Sequence, residues 1–218
     1  MKILNLYAGI GGNRKLWDEV ADVEVTAVEI VPEIADVYQE LFPDDAVIVG
    51  DAHQYLLEHY DDGWDFIWSS PPCQSHSRIR YALGVVSGKT KAVYPDMQLW
   101  QEIIFLDAHF HGKYCVENVV PYYPPLIAPM FKSNKNYLWS NFYISKIDTP
   151  THGITTKTIQ ELRDFHGFDL SGFDIDEKRI LRNCVHPDLG KHVLRSAIHQ
   201  RQLTITSDNK EKTKQDVE

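Results

Sequence analysis

Cys73 stands at a boundary. It follows Pro71 and Pro72 where the apolar run "WDFIWSS" stops and the basic loop "QSHSRIR" begins. A structural cysteine usually lies inside such a run. A thiol at its end, in an acid-free stretch with Arg78 and Arg80 nearby, suits a thiolate nucleophile. A second apolar run, "KYCVENVV", closes on Glu117 and Asn118, a carboxyl group and an amide within reach of proton chemistry. Three earlier runs close in the same manner: "KILNLYA" in Gly9-Ile10-Gly11-Gly12, "VEVTAVEI" in Glu29 and "AVIVGDA" in Asp51. Taken singly, a partly buried cysteine and a structural acid would explain any of them. Five at consecutive run ends point to one cleft.

The elements that must position these residues alternate. Strand-like runs are separated by helical segments: "NRKLWDEV", "PEIADVYQELF" with Pro32 suited to a first turn, "HQYLLEHY" and "DMQLWQEIIFLDAHF". Repeated β-α units predict an α/β fold, a doubly wound, mostly parallel Rossmann-like sheet covered on both faces. Ligands bind such sheets beyond the carboxyl ends of the strands, where the five polar sites fall. After Pro121 the pattern loosens. "NYLWSNFYI" reads as a strand, "TIQELRDFHGF" and "GKHVLRSAIHQ" as helices, and the end as a polar, disordered tail. The expected division is one unit over 1–206 with a tail over 207–218.

The glycine turn allows close approach of backbone to a ligand, and Glu29 lies eighteen residues after Gly11. A carboxylate there accepts both hydrogens of an unphosphorylated ribose diol, and Asp51 at the next strand end suits an adenine amino group. A dinucleotide fingerprint would need a third glycine where Arg14 stands. These features together suggest an adenosine cofactor without a pyrophosphate, and S-adenosyl-L-methionine fits. "LGVVSGKT" ends like a phosphate-binding loop, but Leu83 occupies the position of its first glycine and no strand feeds it. A thiolate beside a methyl-donor cleft suggests covalent catalysis on a carbon such as the C5 of a cytosine. That carbon is a poor nucleophile until a thiolate adds to C6, and an acid such as Glu117 at N3 would neutralise the developing charge.

These residues resemble the cytosine-C5 DNA methyltransferases. "LNLYAGIGG" is similar to their cofactor loop, with Tyr7 where phenylalanine is usual. "PPCQ" (Pro71 to Gln74) resembles their nucleophile motif and "ENV" (Glu117 to Val119) the motif whose glutamate contacts cytosine N3. "RNCVHPDLGKHV" resembles a late segment that completes the cofactor pocket, with Arg182 replacing its glycine, and "ELRDFHGF" the segment before it. The resemblance implies catalytic roles for Cys73, Gln74, Glu117 and Asn118. It implies cofactor contacts from Tyr7, Ala8, Gly9, Ile10, Gly11, Gly12, Glu29, Ile30, Asp51, Ala52, Pro72, Leu99, Asn183 and Val185. No metal site is expected, there being no C-x-x-C pair.

Two departures bear on the nucleic acid. The family usually carries closely spaced arginines before the "SNF"-like strand, where this chain offers Lys132 and Lys135. Its recognition domain is reduced here to a vestige at about 143–157. Arg78, Arg80, Lys89, Lys132 and Lys135 are then the candidate nucleic-acid contacts. Recognition would be short, or supplied by a protein partner or self-association. The net charge is -9, yet its distribution admits a polyanion. Fifteen Asp and Glu and no Lys or Arg fall between Leu16 and Ser77. The windows Phe66–Pro95 and Asn118–Ile147 hold no acid at all, and Lys178–Arg201 holds six bases against Asp188. DNA is the leading partner. An RNA enzyme acting on an extruded loop base, or a non-catalytic cofactor-binding or nucleic-acid-binding subunit, are the alternatives. Three scattered cysteines, no signal-like leader and no apolar run near the ~20 residues of a membrane span imply a cytoplasmic location.

Overall fold

The computed structural model describes residues 1–132, 135–147 and 156–199. The expected tail at 207–218, and most of the vestigial recognition segment at 143–157, lie outside the described residues. Seven strands form one mixed sheet. β1 (Lys2–Leu6), β2 (Glu24–Glu29), β3 (Ala46–Val49), β4 (Phe66–Ser69) and β5 (Lys113–Val119) run parallel, and β6 (Phe131–Lys132) and β7 (Asn136–Ser140) join antiparallel, in the order β3-β2-β1-β4-β5-β7-β6. This is the expected α/β, Rossmann-like architecture. The order reverses on either side of β1, so its carboxyl end opens a crevice between the turns that follow β1 and β4.

The helices are α1 (Pro32–Leu41), α2 (Ala52–His59), the short α3 (Arg78–Arg80), α4 (Gln98–His109), α5 (Ile159–His166), α6 (Glu177–Asn183) and α7 (Pro187–His199). Local chemistry explains their ends. Pro32 opens α1, and Asp51 caps α2 by accepting from the amides of His53 and Gln54. A Thr158–Glu161 capping box starts α5, and Gly167 ends it in the left-handed conformation at φ 68°.

Alternation along β1 divides the core. Leu4 and Leu6 face Leu56, Leu99, Trp100 and Ile103 of α2 and α4. Ile3 faces Trp17 and, with Phe66 and Cys115, packs against Val193 and Leu194 of α7. All of these are buried, as a sheet covered on both faces requires.

Two expectations are corrected. "NRKLWDEV" is not a regular helix; it is a series of turns closing in a tight turn at Trp17–Glu19. Side-chain bonds fix this segment instead. Arg14 donates to Asp45 through Nε and Nη2 at 2.9 and 3.0 Å and to Asp18 at 2.7 Å, and Asn13 donates to Asn5 at 2.8 Å. The residue that displaces a third glycine is thus a buried ion-pair partner that ties the cofactor turn to the loop before β3. The strand read from "NYLWSNFYI" ends at Ser140, where the Ser140 hydroxyl donates to the Phe142 carbonyl at 2.7 Å and turns the chain. Helix α6 gave no clear signal in sequence because it is only seven residues long.

Candidate active site

The parallel register sets the five strand ends level. Leu6 pairs with Val28 and Ser69, Glu29 with Val49, and Ser69 with Val116. The glycine turn, Glu29, Asp51, Cys73 and Glu117 therefore open on one edge of the sheet.

In the glycine turn, Tyr7, Gly9 and Gly11 have φ values of 55°, 55° and 78°. A side-chain carbon on Gly9 would meet nothing within 4 Å, so open space lies over it. On Gly12 such a carbon would lie 2.2 Å from Cys184 Sγ and 2.4 Å from the Val185 carbonyl. That contact places the Asn183–Val185 segment against the turn, as the resemblance implies. Asn183 is exposed and Val185 half-buried.

Glu29 is buried and spans the turn. Its Oε2 accepts from the Gly9 amide and its Oε1 from the Val31 amide, both at 2.9 Å. Each oxygen keeps a second lone pair, so the group can still accept from a diol. Both capping bonds to Asp51, at 2.8 and 3.2 Å, fall on Oδ1, and the residue is exposed. Ala8, Ile10, Ala52 and Leu99 are buried around this edge, whereas Ile30 and Pro72 are exposed. The glycine cradle, the ribose-type acid and the open space fit an adenosyl cofactor.

Cys73 lies in a tight turn whose carbonyl accepts from the amides of His76 and Ser77, each at 3.1 Å. Burial first, and the Glu117 carboxyl second, push its thiol up to about 11. The charge of Lys135 pulls it down. Arg80 donates to the Lys91 carbonyl at 3.1 Å, and Arg78 is exposed. Burial also raises the Glu117 carboxyl, opposed by hydrogen bonds from Asn136 and Ser70 and by the charge of Lys135. Burial in turn lowers the Lys135 ammonium, against the charges of Glu117, Cys184 and Cys73.

Lys135, read in sequence as a phosphate contact, is thus brought to the thiol and the acid. Lys132 and Lys89 stay exposed at the surface. Asn118 is buried; its amide donates to the Pro71 carbonyl at 2.9 Å and so fastens the nucleophile turn to β5. Gln74 is exposed.

Two buried groups escaped the sequence reading. His76 is fully buried, with Nδ1 2.6 Å from the Tyr123 hydroxyl. Glu102 is 1% exposed and is met by Tyr7, Ser69 and His53. Its signal was present, since it lies on the apolar stripe of α4 with Leu99, Ile103 and Leu106. Among the described residues no group of three His, Cys, Asp or Glu could hold a metal, and no helix is long and apolar enough to cross a membrane.

The fold and this edge define a Rossmann-like α/β protein with a glycine turn and the Glu29 carboxyl at the strand ends beside a half-buried thiol. A family model described as C-5 cytosine-specific DNA methylase matches residues 1–119, more than half of the chain. The chain belongs to that family. Over 219 residues it is 27% identical to the Type II methyltransferase M.HgiBI of Herpetosiphon aurantiacus, covering 93% of this chain and 47% of that one. Over 116 residues it is 28% identical to the human tRNA (cytosine(38)-C(5))-methyltransferase, covering 49% of this chain and 30% of that one. Among solved structures, a mutant of DNMT2 from Spodoptera frugiperda is 30% identical with a TM-score of 0.37, covering 54% of this chain and 35% of that one. The chain spans less than half the length of these curated relatives.

Proposed function

We propose that the chain, over 1–206, transfers a methyl group from S-adenosyl-L-methionine to C5 of cytosine in DNA through a covalent adduct with Cys73. One observation carries this reading: a thiol, a carboxyl group raised by burial and a half-buried ammonium, from Cys73, Glu117 and Lys135, act on one another beside the glycine turn. The turn, Glu29 and Asp51 would hold the cofactor, which when bound supplies an electrophilic methyl group.

The base must leave the stack to reach this edge, because C5 and C6 are inaccessible within a duplex. Cys73 gives its proton to water and Sγ adds to C6, with Lys135 stabilising the thiolate. Glu117, whose carboxyl burial raises, would give a proton to N3 as that addition proceeds. C5 then takes the methyl group. Removal of the C5 proton, by water or a nearby base, expels Sγ from C6 and returns the N3 proton to Glu117. Gln74 and Asn118 support the turn that carries Cys73.

DNA is preferred because the likeness to M.HgiBI runs along nearly the whole chain. The likeness to a tRNA methyltransferase over about half of the chain favours an RNA substrate as the second reading. The deciding experiment incubates the protein and S-adenosylmethionine with a cytosine-rich DNA duplex carrying 5-fluorocytosine, followed by a denaturing gel. Fluorine at C5 blocks the final elimination, so turnover traps the protein on its substrate. A cofactor-dependent adduct, absent in Cys73→Ser although that variant still binds cofactor, is expected. An adduct on fluorinated RNA alone would transfer the activity to RNA, and none on either would leave a non-catalytic subunit.

A further inference from the structure

Glu102 belongs to none of the groups used above, yet it touches the ends of three of the strands that carry them. Its Oε1 accepts from the Tyr7 hydroxyl at 2.5 Å and meets His53 Nδ1 at 2.9 Å, and its Oε2 accepts from the Ser69 hydroxyl at 2.5 Å. Tyr7 precedes the glycine turn and has φ 55°, a left-handed conformation that costs a residue with a side chain about 1 kcal/mol. His53 follows the Asp51 cap, and its own amide donates to Asp51 Oδ1 at 2.8 Å. Ser69 is the last residue of β4, four before Cys73. The next residue, Ser70, hydrogen-bonds Glu117. One carboxylate on α4 therefore pins the cofactor turn, the adenine-side acid and the strand of the nucleophile at once.

We infer that Glu102 is a positioning residue that holds the cofactor turn and the Cys73 turn in one fixed relation, with the Tyr7 hydroxyl as its matched donor. Charge-assisted hydrogen bonds from short, buried side chains fix geometry better than apolar contact, which tolerates sliding. A carboxylate also accepts from all three donors, whereas an amide oxygen and an amide nitrogen cannot both do so. The inference rests on the methyl-transfer reading above.

The test uses the full chain, with Glu102→Gln, Tyr7→Phe and the double substitution. Calorimetry measures binding of S-adenosylhomocysteine, and maleimide labelling measures the reactivity of Cys73. The other two cysteines are buried. Glu102→Gln should weaken binding about tenfold and change the labelling rate severalfold, with the circular dichroism of the folded protein unchanged. Tyr7→Phe should weaken binding about threefold, and the two effects should fail to add, as coupled partners do. A folded Glu102→Gln with native affinity and native labelling would overturn the inference, as would strict additivity with Tyr7→Phe. If Glu102→Gln does not fold, Tyr7→Phe and Ser69→Ala, each removing one donor, must separately weaken binding or the inference fails. Native protein that binds no S-adenosylhomocysteine would remove the methyl-transfer reading itself, a result distinct from all of these.

Discussion

Burial, which penalises a thiolate, and the Glu117 carboxyl push the Cys73 thiol up to about 11, against the charge of Lys135. In the free protein the nucleophile is therefore protonated at neutral pH, and its reactivity must climb with pH. The labelling rate of Cys73 by a maleimide or iodoacetamide should rise about tenfold per pH unit from 7 to 10 without reaching a plateau. Lys135→Met removes the opposing cation, moves the thiol further up and slows labelling several-fold at every pH below 11. A plateau below pH 9, or labelling unchanged by Lys135→Met, would contradict this account. Cys73 and Glu117 were legible from their positions at strand ends. The placement of Lys135 was not, because a lysine in an acid-free stretch looks like any surface cation until the fold draws it half inside.

At the scale of elements, the connection between α6 and α7 closes the site from behind. Gly12 is flush against Cys184 and Val185, and Gly190 of α7 has the Asn13 carbonyl 2.0 Å from where its side-chain carbon would be. Trp17 Nε1 donates to the Gly190 carbonyl at 3.2 Å, fastening the helix to the same turn. Gly12→Ala forces backbone as well as a sulfur to move. It should destabilise the fold by about 2 kcal/mol in chemical denaturation and weaken S-adenosylhomocysteine binding in the same protein. Unchanged denaturation would mean that the segment yields freely. Strands β1 to β5 and β7, with α1, α2, α4, α5 and α7, followed from periodicity and end signals, whereas the two-residue β6 did not. The segment after the glycine turn did not, since the bonds of Arg14 to Asp45 and Asp18 replace helical ones.

Sheet order sorts charge across the whole molecule. β2, α1, β3 and α2 carry the stretch without lysine or arginine, and they occupy one flank beyond β1. Two acid-free windows fall on the other side, in β4 and the loop after it and from the end of β5 through β6 and β7. Arg78, Lys89, Lys91 and Lys132 are exposed there, whereas Lys135 is drawn inward. The affinity for a DNA duplex, measured by fluorescence anisotropy over a salt series, should fall steeply. About five phosphate contacts would cost a few hundred-fold between 50 and 200 mM salt. Lys89→Ala should reduce the logarithmic slope by about one, and Lys135→Met should leave it unchanged. A slope altered equally by both would place Lys135 at the surface of the complex.

The alternation of strand and helix, the glycine turn and the polar residues at strand ends were determined by the sequence alone, because they depend on local periodicity and local backbone freedom. They suffice for the α/β class and for bringing Cys73, Glu117, Glu29 and Asp51 to one edge of the sheet. Tertiary structure decided which charges those groups meet. Lys135 at the thiol, Arg14 in its ion pair and Glu102 among Tyr7, His53 and Ser69 are all made by residues far apart in the chain. Burial and distance set their electrostatics, and neither exists until the sheet has assembled.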